Sequence, residues 1–258
     1  MNADKTELLW TGSRNGPAVL GSTGPSLQLQ LKTETVMASD QLLVLGVTMS
    51  SDMSLDKHIG NVCATCFYWL RQLRQVRRSL DVESAATLVY AFMTSRVEYC
   101  NAILVGASKS TTDKLQRVKN AAARVVTDTR KYDRGLTNLL HDDLHWLDVP
   151  EQVQYKRCAT VHRCLQHKAP HYMEDCCILT TDTARHQHLR SAVRHQLLVP
   201  RHRLFIFGRR AFSVAGPNSL PDYTFEIQLV LLTSQFSSRS ENFFSRSTLL
   251  AYVSALGA

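Results

Sequence analysis

Between Leu55 and Leu73 the apolar residues Leu55, Ile59, Val62, Cys66, Leu70 and Leu73 recur at intervals of 4, 3, 4, 4 and 3. Only a helix of about 3.6 residues per turn places such a series on one side, and a one-sided apolar stripe needs another element to cover it. The spacing predicts a helix that starts after Ser54 and runs to about Arg78. A second helix is expected after Asp81, whose side chain can cap it, with Ala85, Leu88, Val89 and Phe92 turned inward. The Ser79-Leu80 link is short, so these two helices are expected to lie antiparallel. A third helix is expected after Thr112-Asp113, with Leu115, Val118, Ala122 and Val125 facing the core. Residues 54–128 therefore read as a three-helix bundle.

The flanks are less regular. Residues 1–40 are punctuated by Gly12, Gly16-Pro17, Gly21 and Gly24-Pro25. Within them Leu27-Gln28-Leu29-Gln30-Leu31 alternates with period two, as a half-buried strand does. Leu42-Leu43-Val44-Leu45-Gly46-Val47 reads as a buried strand, and these two segments are expected to pair antiparallel. Beyond the bundle, a short helix is expected near Leu136–Asp143 and a longer one after Pro150, a good first-turn residue. On the longer helix Val153, Val161, Cys164 and Leu165 share a face, but Arg157 falls on it too and should cost stability unless it snorkels or pairs. Leu197-Leu198-Val199 and Ala211-Phe212-Ser213-Val214 are β-like, and from Tyr223 onward no clear period remains. The fold class is mainly α: a small β-hairpin, a helical bundle, then a basic C-terminal region of short helices and strands.

Charge narrows the partners. The chain carries a net +8, and +7 of it lies between Thr183 and Pro221, a span with seven Arg, no Lys and no Asp or Glu. Arg forks onto phosphate oxygens bidentately, which Lys cannot. Arg201, Arg203, Arg209 and Arg210 belong to this span. Within the bundle, Arg71, Arg74 and Arg78 form one basic row and Lys114, Arg117 and Arg124 another, both away from the apolar stripes. Such rows suit a polyanion. With no run of eighteen apolar residues, no membrane-spanning helix is expected. The polar start Met1-Asn2-Ala3-Asp4-Lys5 does not read as a signal peptide. Seven cysteines without framework spacing fit a reducing, intracellular compartment, nuclear or cytoplasmic.

Catalytic motifs are weak throughout. His141 and His145 stand at i, i+4, as in zinc hydrolases, but the base between them is Asp142 and no third ligand follows at a known spacing. Asp142 and Asp143 are adjacent, so on a helix they diverge by about 100° rather than converge on metal ions. Cys63 and Cys66 lie inside the first helix, where a small buried hydrophobe is expected rather than a redox pair. Cys158, His162, Cys164 and His167 spread over too many turns to close one tetrahedron. No phosphate-cradling glycine loop and no nucleophile elbow is present.

An ordered series of phrases carries a family likeness. Val44-Leu45-Gly46-Val47 followed by Ser54-Leu55-Asp56-Lys57-His58-Ile59, then Leu70-Arg71-Gln72-Leu73-Arg74, resembles the stretch after the polymerase palm in jockey-type non-LTR (LINE) retrotransposon reverse transcriptases. Thr94 to Asn101, Leu115 to Arg124, Leu144-His145-Trp146-Leu147 and Phe207 to Pro217 continue the likeness in the same order, over about residues 2–222. The resemblance implies that Lys5 matches the lysine of the last palm motif and that the strand around Leu45-Gly46-Val47 matches the primer-grip region. It implies a palm-end segment at 1–50, a thumb-like bundle at 51–130 and the family's C-terminal region at 131–222. After Asp222 the pattern stops, and 223–258 is expected to be disordered.

A thumb holds duplex through phosphates and shape. The expected partner is therefore nucleic acid, an RNA–DNA hybrid or duplex DNA bound without sequence preference, with no membrane and no small-molecule substrate. The catalytic aspartates of the family have no counterpart in this sequence, so no catalysis and no cofactor are expected of it alone, although the parent polymerase would use magnesium. Pro217 joins Asn218-Ser219-Leu220-Pro221 directly where the family runs through a Trp. Two other classes stay open: a co-opted protein-interaction module using the exposed thumb surface, and a metal-dependent hydrolase built on His141 and His145.

Overall fold

A computed structural model describes residues 6–9, 11, 28–31, 34–130, 132–182, 197–202 and 207–219. The fold is mainly α, with small sheets at its N-terminal side. Two compact units divide it: the first holds residues 1–100 and 107–119, the second 101–106 and 120–258.

In the first unit, β1 (Leu8–Leu9) runs parallel to β3 (Glu34–Ser39), and β2 (Gln28–Leu31) pairs antiparallel with β3 in the register Leu29 opposite Val36. A separate hairpin joins β4 (Gln41–Val44) to β5 (Val47–Ser50). This corrects two expectations. The strand at 28–31 pairs with 34–39, not with 42–47. The apolar run at 42–47 is no buried strand: it bends at Leu45-Gly46, and Leu43 and Leu45 are 65% and 83% exposed. Both turn residues have positive φ, 47° and 81°. That conformation suits the right-handed twist of a two-residue hairpin and is natural for Gly46, but it strains Leu45. The Tyr99 hydroxyl donates to the Leu45 carbonyl at 2.6 Å and holds the turn.

Helix α1 spans Asp56–Val76, closed by a 3₁₀ turn at Arg77–Ser79. Five of the six stripe residues, Leu55, Ile59, Cys66, Leu70 and Leu73, are buried, and Val62 is half-buried. Buried Arg77 donates from Nη1 to the Leu80 carbonyl at 2.7 Å and so stitches the exit from the helix. Helix α2 (Val82–Val89) starts at Asp81, whose carboxylate accepts from the N–H groups of Glu83 and Ser84, both at 3.1 Å. Hydrogen bonding to Ser84 holds the Asp81 carboxyl below its usual range. A π turn at Tyr90–Thr94 leads into α3 (Ser95–Glu98). That turn carries Phe92, whose ring stacks on Trp69 of α1 at 4.6 Å. Helix α4 (Lys109–Val126) begins in this unit and ends in the other. It starts at Lys109 rather than after Asp113, because the Ser108 hydroxyl accepts from the Thr111 N–H at 3.3 Å. Thr111 in turn donates to Asp56 at the start of α1, at 2.8 Å.

One buried group makes this unit sensitive to pH. His58 is buried, and its Nδ1 accepts a bond from the Thr48 N–H at 3.4 Å. Burial lowers its pKa below the ordinary 6.5. The unfolded chain therefore binds this proton more readily than the folded one. The associated stability is present above about pH 6.5 and is lost as pH falls through that value towards the lowered folded one. Thermal unfolding followed across this window should show a Tm that drops on acidification, and His58→Asn should flatten that drop.

In the second unit, a 3₁₀ turn at Asn101–Leu104 packs against α6 (Val149–Leu165). Before α6, a short α5 (Leu136–Asn138) continues into a π turn at Leu139–Asp143. Pro150 occupies the first turn of α6, where its missing N–H costs nothing, and the Glu151 carboxylate accepts from the Asp148 N–H at 3.0 Å. Val153, Val161 and Cys164 are buried as expected. Val161, Cys164 and Cys177 form a core onto which Leu165, Ala169, Met173, Leu197 and Phe212 pack. Arg157 crosses this apolar face half-buried, with its Nε enclosed and without a hydrogen-bond partner among the described residues. Helices α7 (His171–Glu174), α8 (Phe207–Arg210) and α9 (Phe212–Ala215) are single turns. The β-like segment at 211–214 is thus helical at Phe212–Val214, a third correction. Leu197 does form a bridge with Leu179.

Candidate nucleic-acid interface

The basic row on α1 is the best-formed feature of the first unit. Phe67, Arg71 and Arg74 follow at i, i+4 and i+7 on α1, which keeps them within about 60° of one another around the helix, and Arg78 continues the row on the 3₁₀ turn that closes it. All four are exposed. Arg71, Arg74 and Arg78 make no ion pair and no hydrogen bond among the described residues. Three guanidinium groups with no acid to neutralise them make this face a concentrated positive strip. An open groove of about 460 Å³ lies along it, lined by Phe67, Leu70, Arg71, Arg74 and Gln75. Leu70, only 1% exposed, supplies its apolar floor and ties the strip to the core.

The other basic residues are placed differently. Arg117 is exposed on α4, but Lys114 lies 4.0 Å from Asp56, so part of its charge is already answered. Lys114 and Arg117 also act on Cys63, whose thiol pKa is nonetheless raised because burial dominates. Arg124 is half-buried, on the part of α4 that belongs to the second unit. In that unit, Arg201 and Arg209 are exposed. Arg210 donates to the Ile103 carbonyl at 3.5 Å, and its stem lies against Gly106, whose φ of +69° needs glycine. Lys5 and Arg203, along with the rest of the acid-free span at 183–196 and the tail at 223–258, lie outside the described residues.

The metal readings fare poorly in geometry. Among the described residues, no three His, Cys, Asp or Glu side chains stand together as ligands of one ion. His141 lies within the π turn and His145 two residues beyond its end, so the pair does not share an α-helix. His141 Nε2 faces Asp148 at 3.7 Å, and His145 Nδ1 lies 3.2 Å from the His141 carbonyl. Cys66 is fully buried, and burial pushes its thiol pKa up to about 11, the behaviour of a core residue. No helix among the described residues is long and apolar enough to cross a membrane.

The sequence singled out Arg71, Arg74 and Arg78 but not Phe67 and Gln75. The signal was present: Phe67 continues the arginine spacing one turn back, off the apolar stripe.

Comparison with known proteins points in one direction. Over 116 residues, 44% of this chain, it is 30% identical to the probable RNA-directed DNA polymerase from transposon BS of Drosophila melanogaster. The match spans 13% of that protein's length. Part of the chain is thus reverse-transcriptase-like. No family profile matches the chain, and no solved structure does.

Proposed function

We propose that this chain is the nucleic-acid-holding part of a LINE-type transposon reverse transcriptase, gripping template–primer through phosphates and performing no chemistry itself. The observation that carries this reading is the α1 strip: three exposed guanidinium groups, aligned and unpaired, in a reverse-transcriptase-like chain. Anchored over the buried Leu70 and Leu73, the strip is held on a rigid element rather than a loop, which suits backbone contact along a duplex. In this reading residues 51–130 act as a thumb, the hairpin at 41–50 as its primer-side neighbour, and phosphoryl transfer belongs to other parts of such a polymerase.

Binding of the full chain to a short RNA–DNA hybrid in a salt series tests it. Arg71, Arg74, Arg78 and Arg117 give an expected slope of log K against log salt of about −3 to −4, or about a hundredfold weakening between about 50 and 200 mM. Salt-independent binding, or none, would oppose it. A second reading, a protein-interaction module, is favoured by the bare apolar tip Leu43-Val44-Leu45 of the hairpin. It predicts binding that survives high salt and is lost in Leu45→Ser.

A further inference from the structure

We infer that the α1 groove takes an unpaired nucleotide of a nucleic-acid strand, its base stacked on the Phe67 ring and its phosphate held by Arg71 and Arg74. This rests on the reading of the α1 strip as a nucleic-acid contact, and it names the part of the nucleic acid the strip receives.

The aromatic residues of α1 divide into two kinds. Tyr68, itself 58% exposed, meets Trp69 edge-on at 5.4 Å, and the half-buried Trp69 stacks on Phe92, so both of these rings already have a ring partner. Phe67 has no ring partner among the described residues and is 45% exposed. Leaving a phenylalanine open to water forgoes its burial, and placing it beside two guanidinium groups would suit few apolar partners. A nucleotide satisfies every part of the groove. Its base offers a π-face to Phe67, and its phosphate offers two or more acceptors to the arginine forks. Gln75, exposed at the same groove, brings both a donor and an acceptor for a base edge.

Paired duplex does not use such a ring, because its base faces are already stacked on one another. An unpaired base, at a template overhang or a frayed end, has a face to give.

The test compares a blunt RNA–DNA hybrid with the same hybrid carrying a single-stranded template overhang, with 2-aminopurine at the first unpaired position. The full chain should bind the overhang form more tightly and change the 2-aminopurine fluorescence on binding. Phe67→Ala and Phe67→Leu should each weaken the overhang complex by about tenfold and abolish the fluorescence change. Binding to blunt hybrid should move less than about twofold, and Phe67→Trp should restore both signals. Circular dichroism guards against a misfolded variant, and the leucine variant keeps the apolar bulk while removing the ring. Equal binding of parent, Phe67→Ala and Phe67→Leu to the overhang overturns the inference while leaving the phosphate reading in place. A chain that binds neither form in a salt-dependent way overturns both.

Discussion

Replacing Arg71, Arg74 and Arg78 together by alanine should weaken binding to an RNA–DNA hybrid by about a hundredfold at moderate salt. Each lost charge-assisted contact is taken as about 1 kcal/mol, and three of them make about two decades in affinity. The salt slope should fall in parallel by about 2.7, at about 0.9 per phosphate released. The three side chains are exposed and make no ion pair among the described residues, so the folded state should lose little. Unfolding free energy should stay within about 0.5 kcal/mol of the parent. The triple lysine variant separates charge from shape. It should keep the slope and lose only part of the affinity, because an ammonium cannot fork onto a phosphate.

The second large effect is on stability. Leu70→Ala should cost about 2–5 kcal/mol, the range for deleting a leucine from a packed core. Leu70 is 1% exposed and sits midway along the stripe whose neighbours Cys66 and Leu73 are also buried. Denaturant unfolding followed by circular dichroism measures the loss. The same variant removes the floor of the α1 groove, so binding of the hybrid with a template overhang should fall even where the chain remains folded. Gln75→Ala, in the same groove but exposed, provides the contrast: a stability change within about 0.5 kcal/mol.

Much of the helical half could be read directly from the residues. The stripe at 55–73, the Asp81 cap and the buried Leu115, Val118, Ala122 and Val125 of α4 all follow from local rules that tertiary structure did not override. What escaped was non-local or too short. An apolar run such as Leu42–Val47 has no period that tells a covered strand from a bare hairpin, and Leu45 in a left-handed turn contradicts its own steric preference. At 211–214 four residues fit a strand and a helical turn equally well, and packing of Phe212 on the Val161 core settles the matter. Of the candidate interface, the arginine row was legible because helical spacing is a local property. The different standing of Lys114, drawn to Asp56, and Arg210, laid over Gly106, was not, because those partners are distant in sequence.

A competition titration tests whether the α1 strip holds template–primer. The full chain, bound to a labelled RNA–DNA hybrid, is challenged with unlabelled hybrid and, separately, with inorganic polyphosphate at equal charge. If the α1 strip is built for the spacing of phosphates along a template–primer strand, the hybrid should compete at least tenfold better than the flexible polyanion. Equal competition would mean that the strip is sticky charge without recognition, and would contradict a role in holding template–primer.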